Sequence, residues 1–301
     1  MPIAKYIKEI GRGKDGARAL TRSQAADLFG QVLDGTVTEL EVGAFCLAMR
    51  IKGETPEEMA GFLDATYARL HTLPVRGRPA VVLPSYNGAR KLPLLTPLLA
   101  LLLARDGLPV LIHGAASEST RVFTSSVLAA LDIEPLTLLG PLQEGTVAFA
   151  PTALLCTGLQ RLLDVRRVVG LRNPAHSLVK LMNPCQGRSL VVSSYTHPEY
   201  AVSMAATFEL MGANALLLRG TEGEPVADPR RVPRMQGFLA GRVQVLEEAQ
   251  SGSVTNLPDL PDGTEPTATA RYIRRVLAGD CAVPEPIARQ VAHIQHLVEQ
   301  L

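Results

Sequence analysis

The side chains of this chain that could do chemistry are concentrated in one short stretch, residues 216–231, which reads LLLRGTEGEPVADPRR. Two carboxylates, Glu222 and Glu224, stand one residue apart, and arginines such as Arg219 and Arg230 flank them. Carboxylates at this spacing can hold a hard divalent cation, and arginine binds phosphate through its fork of N–H donors. The stretch therefore indicates either a metal-and-phosphate site, or a cationic surface whose acids orient the neighbouring arginines.

The net charge of +1 over 301 residues hides an uneven distribution of charge. Basic residues outnumber acidic ones over residues 1–22 and 145–198, whereas acidic residues dominate residues 27–64 and 247–265. A neutral total can therefore conceal a basic face that would attract a polyanion. The alternative is ordinary surface charge, paired with acids.

Composition narrows the class of protein. With 47% hydrophobic residues, the chain can bury a sizeable core. The longest apolar run, Leu94–Ala104, contains a proline and predicts a buried helix, so no membrane span is expected. The N-terminal residues lack an apolar h-region, so no signal peptide is expected either. The four cysteines are scattered without a C-x-x-C pair, which predicts a reduced, cytoplasmic protein without structural zinc.

The elements that position the candidate residues follow two different patterns. Residues 1–72 show helical spacing and cap signals such as Thr21-x-x-Gln24 and Thr38-x-x-Glu41. From residue 79, the apolar runs AVVL, VLI, VAFA, LVVSSY and ALLL alternate with helical segments, which predicts a mostly parallel sheet. Ligands bind beyond the carboxyl ends of such strands. The segments to inspect are therefore Pro84–Lys91, His113–Thr120, Tyr195–Glu199 and Arg219–Arg231.

The helical segment Gly30–Thr66 is very similar to the N-terminal domain of the anthranilate phosphoribosyltransferase family, and the resemblance extends over nearly the whole chain. It implies an α/β fold with a small N-terminal helical domain, residues 1–72, joined by a returning helical segment near 152–185. It also implies a large α/β domain, residues 73–301, with a mostly parallel central sheet. An active cleft between the domains and a homodimer formed through the helical domain follow from the same resemblance.

The catalytic motifs of that family are altered at every expected place. The glycine-rich loop G-T-G-G-D falls on Pro84–Gly88, and the N-x-S-T motif falls on Pro93–Thr96. The K-H-G-N-R motif falls on Ile112–Ala116, and the metal motif D-G-x-D-E falls on Glu222–Val226. Donors for the diphosphate and ligands for magnesium are lost together, which predicts loss of transferase activity.

Basic residues stand in place of the family's specific donors for the diphosphate. The stretch R-G-T-E-G-E-P at Arg219–Pro225, followed by a basic segment, resembles the YbiB-type, DNA-binding and catalytically degenerate branch of the family. The resemblance implies a non-catalytic homodimer that binds DNA or RNA through backbone phosphates, with no cofactor and no membrane. The predicted phosphate contacts are Arg90, Lys91, His113, Arg172, Lys180, Arg219, Arg230, Arg231 and Arg234.

Some alternatives stay open at this point. His113 and His176 either contact an anion or have a hydrogen-bonded structural role. Glu222 and Glu224 are the weak metal candidates. The main functional alternative is a magnesium-dependent glycosyl- or phosphoribosyltransferase with an unidentified acceptor, and a third is a sensor of small anions or nucleotides. Tyr86, Tyr195 and His197, near strand ends, are candidates for stacking on bases.

Overall fold

The computed structural model describes residues 3–13, 15–115, 120–252 and 257–301. Four helices open the described chain: α1 (Ala4–Ile10), α2 (Arg22–Asp34), α3 (Glu39–Lys52) and α4 (Pro56–Tyr67). The side chains of Thr21, Thr38 and Thr55 accept the N3 amide in a capping box at the starts of α2, α3 and α4. The predicted caps are therefore confirmed.

An aromatic cluster holds these helices together. The rings of Phe29 and Phe62 stack with centroids 4.6 Å apart, and the ring of Phe45 meets both of them edge-on. All three side chains are fully buried. Because aromatic side chains bury a large area and prefer these geometries, the cluster fixes the packing of α2, α3 and α4.

A second group of helices returns to this bundle: α7 (Thr152–Leu155), α8 (Thr157–Val169) and α9 (Ala175–Leu178). Helix α8 lies so close to α2 that a Cβ at Gly158 would meet the carbonyl oxygen of Leu33 at 2.1 Å. The guanidinium of Arg161 also donates to that carbonyl, at 2.8 Å. A small helical domain with a returning segment is thus present, while the domain limits at residues 72 and 73 stay a prediction.

The predicted mostly parallel sheet is confirmed. The strands of the described residues are β1 (Leu73–Pro74), β2 (Ala80–Ser85), β3 (Val110–Gly114), β4 (Val147–Pro151), β5 (Cys185–Gln186), β6 (Ser189–Tyr195), β7 (Ala215–Arg219), β8 (Met235–Leu239) and β9 (Arg242–Glu247). Seven of them form the sheet in the order β4-β3-β2-β6-β7-β8-β9, and the pairs from β4 to β7 are parallel. Strands β8 and β9 continue the sheet as an antiparallel hairpin. A short parallel pair, β1 with β5, lies outside it.

Helices cover the sheet. The helices of the α/β domain are α5 (Thr96–Arg105), α6 (Thr124–Ala129), α10 (Pro198–Met211), α11 (Pro266–Ala278) and α12 (Glu285–Val298). The apolar run Leu94–Ala104 lies largely in the buried helix α5, as its composition predicts. Among the described helices, none has the length and hydropathy needed to cross a membrane.

Strand order determines where the site can form. Strands β2, β6 and β7 are neighbours, and they end at Ser85, Tyr195 and Arg219 respectively. Because the three strands are parallel, their carboxyl ends meet at one edge of the sheet. The segments that follow these strands are therefore brought together, although they are far apart in the chain.

Candidate phosphate cradle and basic groove

A carboxylate of the chain itself occupies the loop that follows β2. Glu224 is fully buried, and its Oε1 accepts the amide N–H of Asn87 at 2.7 Å and that of Gly88 at 2.8 Å. Its Oε2 accepts the hydroxyl of Thr96 at 3.2 Å and also the hydroxyl of Ser85. Backbone amides and hydroxyls that converge on one point form an anion cradle. This cradle is filled by Glu224.

The second carboxylate of the stretch caps the next two amides of the same loop. Glu222 accepts the N–H of Arg90 at 2.6 Å and the N–H of Lys91 at 3.2 Å. Its own carbonyl accepts the side-chain amide of Asn87 at 2.9 Å. Unlike the buried Glu224, Glu222 is partly exposed, and its bonds to Arg90 and Lys91 lie at the surface.

Two glycines allow this close approach. A Cβ at Gly220 would lie 1.8 Å from the carbonyl oxygen of Glu224, and a Cβ at Gly223 would lie 1.9 Å from Nδ2 of Asn87. Gly223 also has a φ of +86°, in the left-handed region that favours glycine. The loop after β7 and the loop after β2 therefore interlock, and the residue types at these positions depend on one another.

The residues around Glu222 and Glu224 do not fit a magnesium ion. The oxygens of Glu222 and Glu224 accept N–H and O–H donors, and the next residues, Pro225 and Val226, offer no side-chain oxygen. Across the described ranges there is no group of three or more His, Cys, Asp or Glu side chains that could hold a metal ion. Magnesium prefers a near-octahedral shell of oxygens, which these residues do not supply. The metal interpretation of Glu222 and Glu224 is therefore not supported by the geometry.

His113 is not a surface cation, which corrects the prediction that it contacts phosphate. The side chain is fully buried, and its Nδ1 lies 2.8 Å from the hydroxyl of Tyr86, which in turn lies 2.9 Å from the hydroxyl of Thr152. Burial lowers the pKa of His113 to about 3, so the imidazole is neutral. Tyr86 is buried with it and cannot stack on a base. Residues 116–119 of the predicted segment His113–Thr120, which include Ala116 of the altered motif, lie outside the described residues.

Lys180 joins the end of β6 to the loop after β7. Its Nζ donates to the carbonyl of Gly223 at 2.9 Å and to the carbonyl of Ser194 at 3.2 Å. Burial lowers the pKa of Lys180 to about 8; the nearby Glu224 acts in the opposite direction, and Arg172 adds to the lowering. The amine therefore has a structural role, in addition to any contact that it makes with a ligand.

A cleft of about 460 Å³ separates the helical domain from the α/β domain. This interdomain cleft is lined by, among others, Arg50, Arg172, His176, Lys180, Tyr195 and His197. The ring of His176 lies within 3.3 Å of the backbone and side-chain oxygens of Asn173. Arg172 and Lys180 thus line the same cleft, and their contact with phosphate stays a prediction, while His176 has hydrogen-bonding partners inside the fold.

A larger groove opens on the other side of Tyr195. This basic groove, of about 1230 Å³, is lined on one side by Lys91, Arg219, Arg230, Arg231 and Arg234. The opposite wall is the small apolar face of α10, with Ala201, Val202, Ala205 and Ala206. The groove therefore gathers most of the predicted phosphate contacts, and Arg90 lies exposed beside Lys91.

Acids in and beside the groove pair with some of these cations. Arg230 forms an ion pair with Asp228 at 2.7 Å, and Arg234 lies 3.8 Å from Glu248. The guanidinium of Arg231 donates to the carbonyl of Gly252 at 2.8 Å. Both arginines of the ion pairs are more than a third exposed, so each pair contributes little net energy. Phosphates can therefore compete for these arginines.

Sequence reasoning missed the donors that hold Glu224. Ser85, Asn87 and Thr96 lie within two altered motifs, and Thr96 keeps the threonine of its motif, so only the alteration of these motifs could have drawn attention to the three residues. Their role depends on contacts with Glu224, which lies 137 positions from Asn87 and 139 positions from Ser85 in the chain. No local periodicity indicates a contact of this kind.

The comparisons with known proteins agree on one family. The model of the glycosyl transferase family, helical bundle domain, matches residues 4–69. The uncharacterized protein YbiB of Escherichia coli (strain K12) is 42% identical over 97% of this chain and 93% of its own length. An anthranilate phosphoribosyltransferase of a Nocardioides species is 26% identical over 87% of this chain and 78% of its own length.

Comparison with solved structures gives the same fold. The anthranilate phosphoribosyltransferase of Thermus thermophilus aligns with a TM-score of 0.75 over 98% of this chain and 89% of that chain. The two sequences are 21% identical in this alignment, so the likeness concerns the fold. A small helical domain joined to an α/β domain with a mostly parallel sheet is thus established.

We expect that Glu224→Ala lowers the free energy of unfolding by roughly 2–6 kcal/mol, because the buried amides of Asn87 and Gly88 lose their acceptor at about 1–3 kcal/mol each. Glu224→Gln should cost less, since its carbonyl oxygen can still accept both amides. Glu248→Ala, at a largely exposed acid, should stay within about 0.5 kcal/mol of the wild type. Urea unfolding measures all three, and an Ala variant as stable as the Glu248 control would contradict the role given to Glu224.

The amine of Lys180 should titrate near pH 8 in a nuclear magnetic resonance experiment on labelled lysine, well below its ordinary value of 10.5. Because the native state disfavours the charged form, the free energy of unfolding should rise with pH between about 8 and 10.5. Below pH 8 the full penalty is present. Lys180→Met should remove this part of the pH dependence, whereas an unchanged profile would show that Lys180 is not the responsible group.

Proposed function

The chain belongs to the anthranilate phosphoribosyltransferase-like family, together with YbiB of Escherichia coli, and we propose that on this scaffold it binds nucleic acid. Binding is largely independent of sequence, because it acts through backbone phosphates, which are common to DNA and RNA. No catalytic residue is assigned, and no cofactor is required.

The basic groove is the observation that carries this proposal. Its arginines come from the end of β7 and from the segment that leads into β8, so they follow the groove rather than converge on one point. Converging donors recognise one small anion, whereas cations spread along a groove match a chain of phosphates. The buried converging donors of the loop after β2, at Asn87 and Gly88, are already used by Glu224.

The test is the salt dependence of binding to DNA of arbitrary sequence. Arg219→Ala and Arg231→Ala should each weaken binding similarly for unrelated sequences, and each should reduce the slope of log affinity against log salt by about one unit. Arg274→Ala, at an exposed arginine of α11, is the matched control and should leave the slope unchanged. Lys180→Ala is unsuitable here, because its amine also holds two backbone carbonyls.

Unchanged affinity and slope in the Arg219 and Arg231 double variant, with the protein still folded, would place the binding surface elsewhere. The basic N-terminal segment Lys5–Arg22 is then the next candidate. Absence of any binding at low salt would reject the function itself.

A second candidate function is a magnesium-dependent glycosyl- or phosphoribosyltransferase with an unidentified acceptor. The comparisons support this class of function better than nucleic-acid binding, because curated relatives and solved structures of this fold carry the name anthranilate phosphoribosyltransferase. The geometry of the site does not favour a transferase. A diphosphate would have to displace the buried carboxylate of Glu224, and Pro225 and Val226 provide no metal ligand.

We expect no transfer of a phosphoribosyl group to anthranilate, because the donors for the diphosphate are occupied and the metal ligands are missing. The measurement is the fluorescence change of anthranilate in the presence of phosphoribosyl diphosphate and magnesium, with protein at micromolar concentration. Saturable, magnesium-dependent binding of phosphoribosyl diphosphate in calorimetry, or detectable product, would favour the transferase instead.

We also propose that the protein forms a homodimer through its helical domain. Leu40, Leu47 and Ile51 of α3 are 84%, 47% and 61% exposed, and their spacing places them on one helix face. Val168, near the end of α8, is 89% exposed in the same domain. An apolar helix face of this kind in a globular protein supports a contact with another chain.

Substitution of this face should yield a folded monomer. Leu40→Glu and Ile51→Lys place their charges where the dipole of α3 favours them, so the helix itself should tolerate the changes. Light scattering at micromolar concentration should show the mass of a dimer for the wild type and half of it for the double variant. Leu138→Glu, at another exposed leucine, is the control and should remain dimeric. A monomeric wild type would reject this assembly.

A further inference from the structure

We propose that Glu222 is a displaceable internal carboxylate, and that a backbone phosphate of nucleic acid in the basic groove takes its place on the amides of Arg90 and Lys91. This inference rests on the proposed function of the groove. It adds a phosphate site made of backbone N–H groups to the arginine contacts.

The two carboxylates of the stretch differ in whether a ligand from solution can reach them. Glu224 is fully buried and held by amides and hydroxyls, so it belongs to the fold. Glu222 is partly exposed and lines the basic groove, and its carboxylate bonds only to exposed amides among the contacts described. Only the second position is open to exchange with an anion from solution.

The donors under Glu222 have the arrangement of an oxyanion site. The N–H groups of Arg90 and Lys91, adjacent in the chain, point at one carboxylate, at 2.6 Å and 3.2 Å. Consecutive amides directed at one anion bind phosphate oxygens as well as carboxylate oxygens, because both are charged acceptors. A backbone phosphodiester carries one negative charge, as the carboxylate does, and can therefore replace it without any change in these donors.

The surroundings favour a phosphate at this point. The side chain of Lys91 lines the same groove, and so does Arg230. The ion pair with Asp228 raises the pKa of Arg230, and the charge of Glu222 acts in the same direction to a smaller extent. A phosphate on the two amides would be attracted by both cations.

Exchange needs only a rotation of the Glu222 side chain. Its backbone is held by the side-chain amide of Asn87, which donates to the Glu222 carbonyl at 2.9 Å. The neighbouring Thr221 donates its N–H to the carbonyl of Val226 at 2.8 Å. The loop can therefore keep its path while the carboxylate swings into the groove. The φ of 52° at Glu222 lies in the left-handed region, where Asn is among the better tolerated residues.

The experiment compares variants that remove the same charge at two places in the groove region. Glu222→Ala should bind a 20-base DNA of arbitrary sequence about tenfold more tightly than the wild type, because no internal carboxylate competes for the amides. Glu248→Ala removes an exposed acid beside Arg234 and should gain no more than about twofold, as expected for one rim charge. Glu222→Asn serves as a second neutral variant that suits the left-handed backbone.

The amide signals of Arg90 and Lys91 provide the second readout. In Glu222→Ala they should shift on addition of DNA, and also on addition of inorganic phosphate at millimolar concentration, while in Glu248→Ala phosphate should leave them unchanged. Equal gains in affinity for the Glu222 and Glu248 variants, or DNA binding without any change at these two amides, would overturn the inference and leave the proposed function intact. Absence of DNA binding in the wild type and all variants would overturn both.

Discussion

The placement of the Glu224 carboxylate inside the loop after β2 is the constraint on which this site depends. It joins the end of one strand, the turn that follows it and the first residue of α5, through Ser85, Asn87, Gly88 and Thr96. A buried carboxylate is tolerated only when its oxygens are hydrogen-bonded. The conformation of the loop and the burial of Glu224 therefore depend on each other.

This arrangement separates two kinds of attraction for phosphate. Donors fixed in a pocket select an anion by shape, and in this chain an internal acid has satisfied them. Arginines with long side chains, such as Arg219 and Arg231, remain in the groove. They attract anions with little selection for the shape of the anion. Spread cations beside a pocket whose donors are satisfied internally are the physical basis of the proposed surface for a polyanion.

The fold could be predicted because the sequence patterns that indicate its helices and strands each lie within a few residues. The caps at Thr21 and Thr38, and apolar runs such as AVVL, are read within a few residues, and the parallel sheet follows from their alternation. The site was predictable in part. Arginines after β7 lie where strand ends predict them, but His113 lies in β3, whose five residues are all buried, and residue type alone does not show that a polar residue near a strand end is inaccessible.

The interlock between the two loops also limits how this sequence can change over generations. A side chain at Gly220 would collide with the Glu224 carbonyl, and one at Gly223 would collide with Asn87. Replacing Glu224 alone leaves the buried amides of Asn87 and Gly88 without an acceptor, and introducing a glycine-rich loop alone leaves the carboxylate in its place. Each of these changes made alone is expected to lower stability. Gly220, Gly223, Glu224 and the loop after β2 are therefore expected to accept substitution together more readily than one position at a time.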